Sequence, residues 1–474
     1  FGCDVAEADS MRNPEFVNYV RSRVNSTTRQ WIDTCIVPIE GKVSYPAIFG
    51  SGGNEGSGSY LANYYQAIVV ALLLKEDDLR SALFADTVLP IPIPTKNRHN
   101  SGHYSESTGI DSPWTYILAL EGSLLFTSSL SRRIDTHRPN SVAGTSASLA
   151  SPFATSNDCV GYASSSSVDS KSNRQGKLVP GRGEQWMPIW NTPVRLIELQ
   201  QMFREGRATL RCRVPSRSRD FCLSIARAGV AKGISEFQRF GYVQRNGDNH
   251  MAVPLGRFEV RPRPNQRLLD EVAPWIDRLR QIASDKLAPQ SFSRAYRACE
   301  LAMFNCATRA SGSDFLHLLI ALGEAEDQML ASPKFSGEKC SPMPRLSTQW
   351  LDVVDQDSHE YQLALSLAAQ QGSLESQSFP VSVRGHWLPL KASGNQFAKV
   401  ESGLNIGPDQ AAGGLDLPRA ALAIMHRRLL ACHRGATKGY LPLNLIRDHF
   451  GADLEDIRAF IERETNDGQI LAYA

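Results

Sequence analysis

RPRPNQRLLDEVAPWIDRLRQIA occupies residues 261–283, and the chain changes character inside it. RPRPN (261–265) is turn-prone, because each proline fixes its own φ and biases the residue before it away from helix. LLDEVAPWIDRLRQIA (268–283) then places apolar residues at helical spacing. The same pattern returns in SFSRAYRACELAMFNCA, DFLHLLIALGEAEDQML and EYQLALSLAAQ. After a looser segment at 372–416 it continues in LPRAALAIMHRRLLACH and LEDIRAFIERET. Residues 266–474 are therefore expected to form an all-helical bundle, and no period of 20 to 50 residues repeats within them.

Upstream, helix and strand patterns mix, and residues 1–265 read as an α+β domain. Residues 14–33 are expected to be one helix with Phe16, Val17, Val20 and Val24 along one side, and TCIVPI (34–39) a short strand. A strong helix is expected from Tyr60 to Phe84, with Leu61, Tyr64, Ile68 and Leu72 on its apolar face. PIPIPT (90–95) reads as a connector, and SPWTYILALEGSLLF (112–126) as an apolar helix whose first residue is Pro113. The stretch 138–178, rich in Ser, Thr, Asn and Gly, reads as a long loop with one aromatic-apolar island, SPFATSNDCVGYASS. LIELQQMF and DFCLSIARAGV are expected helices, and ATLRCRV alternates like a strand with one charged face.

Hydrophobic content of 42% and charged content of 21% over 474 residues fit a globular protein of two or three domains. The longest apolar run, IVVALLL (68–74), falls far short of the roughly 18 residues of a membrane span. Nine cysteines are scattered without a CxxC pair, which argues against a zinc ribbon and for reduced thiols in a cytoplasm. Cys299 and Cys306 lie seven apart on an expected helix and read as core. No secretory signal is read at the start, which is Phe1 rather than Met.

Charge is distributed unevenly. Residues 182–267 carry 16 basic and 7 acidic side chains, and 15 of the 16 are arginine. The flanking regions are net acidic. The chain favours arginine over lysine throughout, 39 to 12, but that preference does not produce a local excess of nine charges. Arginine binds phosphate with two parallel hydrogen bonds and stacks on bases, so the block points to nucleic acid. Its candidate contacts are Arg182, Arg207, Arg211, Arg213 and Arg217, with Gln238, Arg239 and Arg245 downstream. Phe237, Phe240 and Tyr242 interleave with the latter three, and either stack on bases or belong to the core.

A second candidate is GSGGNEGSGS (50–59), which leads into the expected helix at Tyr60. It has no lysine for a Walker loop, and Glu55 stands where a dinucleotide fingerprint needs its last glycine. No nucleotide cofactor is expected. Ser51, Gly52, Gly53 and Asn54 offer bare backbone beside a helix N-terminus, which either binds phosphate or simply turns.

Catalytic and metal motifs are not found. His359-Glu360 begins a metalloprotease signature, but Leu363 stands where the second histidine belongs. His99 with His103, and His426 with His433, lack further ligands, and no G-x-S-x-G elbow is present. Two carboxylates meeting in space would leave one alternative from another class, a metal-dependent nuclease.

FGSGGNEG (49–56), SPWTYILALEGSLLF (112–126), RGEQWMPIW (182–190), ELQQMFREGRA (198–208) and DFCLSIARAGVAKGISEFQRFGYVQRNG (220–247) together resemble one family. With LPRAALAIMHRRLL and the closing NDGQILAYA, they are similar to the large subunit of type I-G (formerly type I-U) CRISPR Cascade effector complexes. Family members carry a region ahead of the first helix here. The resemblance implies a non-catalytic protein of antiviral defence that helps recognise the protospacer-adjacent motif, opens the duplex and stabilises the displaced strand. Its implied partners are the guide CRISPR RNA, target double-stranded DNA, the Cascade backbone subunits, the guide-handle-binding subunit, the small subunits and a recruited helicase-nuclease. The C-terminal helical domain is implied to be small-subunit-like.

Overall fold

The computed structural model describes residues 13–35, 37–39, 42–44, 60–84, 90–91, 109–110, 113–127, 129–132, 147–150, 152–155, 169–172, 178–180, 184–205, 217–228, 233–244, 250–283, 285, 287–331, 341–354, 357–368, 397, 417, 454–462, 464–466 and 469–470. Its internal contacts divide the chain into two units, Phe1–Arg261 and Pro262–Ala474. The first is α+β, and the described elements of the second are helices. None of the described helices is long and apolar enough to cross a membrane.

The first unit opens with helices α1 (Asn13–Arg23) and α2 (Ser26–Cys35), then the hairpin β1 (Val37–Ile39) and β2 (Lys42–Ser44). The single helix expected over 14–33 is thus two, with Asn25 between them accepting the Thr28 N–H on its side chain at 2.8 Å. The single helix expected over 60–84 is also two, α3 (Tyr60–Leu73) and α4 (Glu76–Leu83). Among the described side chains of α3 Ala67 and Ala71 are buried, while Leu72 is 79% exposed, so its apolar run does not report its packed face. The short strands β3 (Pro90–Ile91) and β4 (Gly109–Ile110) pair, and α5 (Pro113–Gly122) runs into a 3-10 turn, Ser123–Phe126.

β5 (Ser129–Arg132), ahead of the serine-rich region, pairs with β6 (Ala147–Ala150) inside it; β7 (Ala154–Thr155) follows, and β8 (Asp169–Ser172) pairs with β9 (Leu178–Pro180) at the region's end. β7 joins β10 (Glu184–Trp190), whose other edge continues, after α6 (Leu196–Glu205) and α7 (Ser218–Ala228), into β11 (Ile234–Gln244) and β12 (His250–Glu259). The four-stranded antiparallel sheet has the order β12-β11-β10-β7. Across it Trp186 faces Arg239, and Phe237 faces Phe258. Between Arg239 and Phe240 the β11–β12 register slips by one residue, and Gly256 meets the slip with a φ of +105° that other residues adopt at a cost.

One face of this sheet is an aromatic core. Trp186, Phe237 and Phe258 are wholly buried. Phe221 of α7 lies 4.7 Å from Trp186 and 5.7 Å from Phe237 between ring centroids. Phe153, just before β7, reaches Phe237 at 5.4 Å and Phe203 of α6 at 5.2 Å, and Phe203 in turn meets Phe126 at 4.8 Å. Each such ring contributes about 1.5–3 kcal/mol by leaving water. Phe153 and Thr155 of the island in the serine-rich region therefore belong to the core rather than to a loop.

The second unit packs α8 (Leu269–Ala283), α9 (Gln290–Thr308) and α10 (Gly312–Ala331). Leu269, Val272, Ile276 and Leu279 of α8 recur at three and four and are all wholly buried, as are Phe292, Cys299, Met303 and Cys306 of α9. Burial raises the Cys299 thiol to about 12, so it is an inert core group, as its helical position suggested. Ser311 and Asp314 cap α10 reciprocally, with backbone N–H to side-chain oxygen at 3.2 and 3.3 Å. A 3-10 turn, Thr348–Val353, sets Trp350 edge-on to Phe315 at 5.8 Å. The described C-terminal elements are α11 (His359–Ala368) and α12 (Leu454–Glu462), joined by a small cluster of Leu363, Ala364, Leu417 and Ile470.

Candidate nucleic-acid interface

Arg239 lies opposite Trp186 on the buried face of the sheet, and Glu184 shares that face because residues two apart on a strand point the same way. The Arg239 Nε donates to Glu184 Oε2 at 3.0 Å, and a terminal nitrogen donates to Oε1 at 2.8 Å. This bidentate fork is the strongest geometry for such a pair. Its guanidinium carbon also stands 5.1 Å from the centroid of the Trp186 ring, a cation–π contact. Glu184 is wholly buried and Arg239 is 4% exposed.

A second buried group sits at the start of α7. Arg217 donates to both Asp220 oxygens, at 2.8 and 3.1 Å, and Arg219 donates twice to Oδ1, at 3.3 and 3.1 Å. Asp220 in the first turn also suits the positive end of the helix. Ser218 Oγ lies 3.3 Å from Thr155 Oγ1, and Thr155 Oγ1 accepts the Glu184 N–H at 3.1 Å. The two charge groups are therefore joined through one hydroxyl pair.

These contacts correct part of the sequence reading. Arg217 and Arg239 were expected on a phosphate-binding surface. They are instead buried against carboxylates of their own chain. Phe237 is likewise core and not a platform for bases. Gln238 points to the opposite face, half-buried, and its amide donates to the Gly256 and Arg239 carbonyls at 3.2 and 3.3 Å. On that face Arg257 pairs with Glu236 at 2.9 Å. At the end of β12, Arg261 pairs with Glu259 at 3.1 Å. Ser51, Gly52, Gly53, Asn54, Arg182, Arg207, Arg211, Arg213 and Arg245, together with the strand expected at ATLRCRV, lie outside the described residues. So do the side chain of Tyr242 and the helix expected at LPRAALAIMHRRLLACH beyond Leu417.

Glu184, Asp220 and Trp186 were not singled out from the sequence. The signal for them was present. Glu184 and Trp186 are two apart, as are Phe237 and Arg239, so two neighbouring strands each carry an aromatic and an opposite charge on one face. Among the described residues no group of three or more His, Cys, Asp or Glu side chains is placed to hold a metal ion. Cys222, Cys299 and Cys306 are free thiols, all buried. No protein-family model matches the chain, and no curated protein sequence matches it.

Proposed function

We propose that the chain is the nucleic-acid-binding large subunit of a type I-G CRISPR surveillance complex, acting in the prokaryotic cytoplasm without a catalytic centre of its own. The observation that carries this reading is the charge left over in residues 182–267. The buried groups withdraw three arginines and two carboxylates, so the excess falls only from nine to eight. Pairs such as Arg257–Glu236 leave it unchanged. An excess of that size suits a polyanion, and the phosphate backbone supplies most of the affinity in such complexes. Sequence would be read by pairing between guide and target, as in other RNA-guided systems.

In this reading Arg182, Arg207, Arg211, Arg213 and Arg245 grip phosphates, and Ser51–Asn54 approach the duplex near the protospacer-adjacent motif or the guide's 5′ handle. Arg217 and Arg239 leave the contact set and become supports. The partners are those of the family: guide RNA, target DNA, the other Cascade subunits and the helicase-nuclease.

The test is the salt dependence of duplex binding by the Arg211→Glu/Arg213→Glu variant, read by fluorescence anisotropy. Losing two phosphate contacts lowers the slope of log K against log salt by about 1.8. An unchanged slope would make the chain a scaffold without a grip on DNA. Cleavage of the labelled duplex in Mg²⁺ or Mn²⁺, abolished by a carboxylate variant, would make it a nuclease.

A further inference from the structure

The residues that began the incomplete metalloprotease signature have another use. Leu363, in the place of the second histidine, is buried with Ala364, Leu417 and Ile470, and Leu367 and Phe460 pack against them. Phe460 belongs to α12, so this cluster holds α12 on α11. At its rim His359 Nδ1 meets Asp456 Oδ1 at 2.5 Å. A second tie follows α12, where the Asn466 N–H donates to Glu360 Oε1 at 3.1 Å. Asp456 is 7% exposed, whereas the His359 side chain is 49% exposed and open to exchange of its proton with solvent. The polar ties at the rim of this cluster add to the attachment of α12.

We propose that His359 and Asp456 form a proton-operated clasp that fastens α12 onto α11, tightest when the imidazole is charged and loosened when it is neutral. The groups that bear on His359 are acidic: Asp456 and Glu455 from α12, and Glu360 from its own helix. Arg458 of α12 is engaged with Glu462 at 2.9 Å. The hydrogen bond to Asp456 raises the imidazole's pKa above 6.5; desolvation opposes it, and the fields of the three carboxylates add to it. A group whose pKa rises on folding stabilises fully below its unfolded value and loses that contribution as pH climbs through the folded one. The clasp is therefore tightest below pH 6.5 and loosens as pH rises through the higher folded value.

The experiment is amide hydrogen exchange with mass spectrometry on the whole chain at about pH 6 and about pH 8.5, corrected for the intrinsic pH dependence of exchange. Protection of peptides covering 454–470 is expected to fall about threefold or more between the two conditions, while peptides from α9 hold constant. His359→Gln is expected to show low protection at both pH values. His359→Lys, which stays charged across the range, is expected to show high protection at both. A wild-type protection that does not change with pH overturns the clasp, and so does a Lys variant that falls as the wild type does. The second comparison stands even if the Gln variant does not fold.

Discussion

Carboxylates drawn out of water are neutralised in two ways, by guanidinium groups in the first unit and at Asp314 of the second, which pairs with Arg309, and by neutral donors at Glu271 and Glu326 of the second. In the first unit, Glu184 and Asp220 face guanidinium groups. In the second, Glu271 of α8 accepts the Ser347 N–H at 2.8 Å, the Ser347 hydroxyl at 2.7 Å and the Trp350 indole N–H at 3.1 Å. Glu326 of α10, 1% exposed, accepts the Met343 N–H at 2.6 Å. These donors are neutral, and the two carboxylates strap residues 341–353 onto the helices. An ion pair strands a charge when either partner is removed. A carboxylate held by neutral donors strands none on its partners, but it titrates. Arginine in the first unit is thus divided between framework and surface, and only position along a strand or helix distinguishes the two uses.

The comparison is most easily broken at Arg239. Arg239→Met leaves Glu184 buried without its bidentate partner, and a loss of about 3–5 kcal/mol is expected in chemical denaturation. Adding Glu184→Leu removes the stranded charge, and most of the loss should return, because apolar replacements of a buried pair are often near neutral. A single variant as stable as the wild type would mean that the pair is solvated. DNA binding, corrected for the folded fraction, should keep its salt slope in the double variant, since Arg239 is assigned no phosphate.

Glu271 tests the other half. Glu271→Ala leaves three donors unmet, and a loss of about 1–3 kcal/mol is expected. Partial burial pushes the Glu271 carboxyl up, but the hydrogen bonds from Ser347 and Trp350 outweigh it and hold the group below its ordinary value of 4.5. Its contribution is therefore full above pH 4.5 and lost as pH falls through the lower folded value. Across that interval the wild type should lose stability more steeply than Glu271→Ala. Parallel acid limbs would mean that the strap is not held by the ionised carboxylate.

Helices were legible in the sequence where one face had to be buried along several turns. LLDEVAPWIDRLRQIA and the two helices after it formed close to the expected bounds, and RPRPN marks the change of style, with Asn265 in the left-handed region at a φ of 59°. The breaks at Asn25 and Lys75 were not legible, since no proline or glycine marks either. The strand GISEFQRFGYVQ was read as a mixture of aromatics and arginines, because a residue's face depends on the pairing register, which a single strand does not contain. The same gap hid the role of Arg239: composition counted its charge, and only the partner strand carrying Glu184 explains it. The island that holds Phe153 stood out from its serine-rich surroundings but was read as part of a loop, although one aromatic side chain can outweigh the polarity of its neighbours.

The smallest expected effect distinguishes two positions of one connection. Ala310 follows α9, whose last helical bond runs from the Arg309 N–H to the Asn305 carbonyl at 2.8 Å, and it takes a φ of 57° before Ser311 begins the next cap. A left-handed alanine carries a penalty of about 1–2 kcal/mol that glycine avoids, while glycine adds unfolded-state entropy of about 0.5–1 kcal/mol. Ala310→Gly should therefore stabilise the chain by roughly 0.5–1 kcal/mol. Two residues on, Gly312 has the opposite constraint: a Cβ there would stand 2.5 Å from the Val353 carbonyl oxygen, a backbone atom that cannot rotate away. Gly312→Ala should push the 3-10 turn off the start of α10 and lower stability. Denaturation midpoints of the two variants are expected to move in opposite directions, and a shift of both in the same direction would show that helix propensity, not this connection's geometry, governs the site.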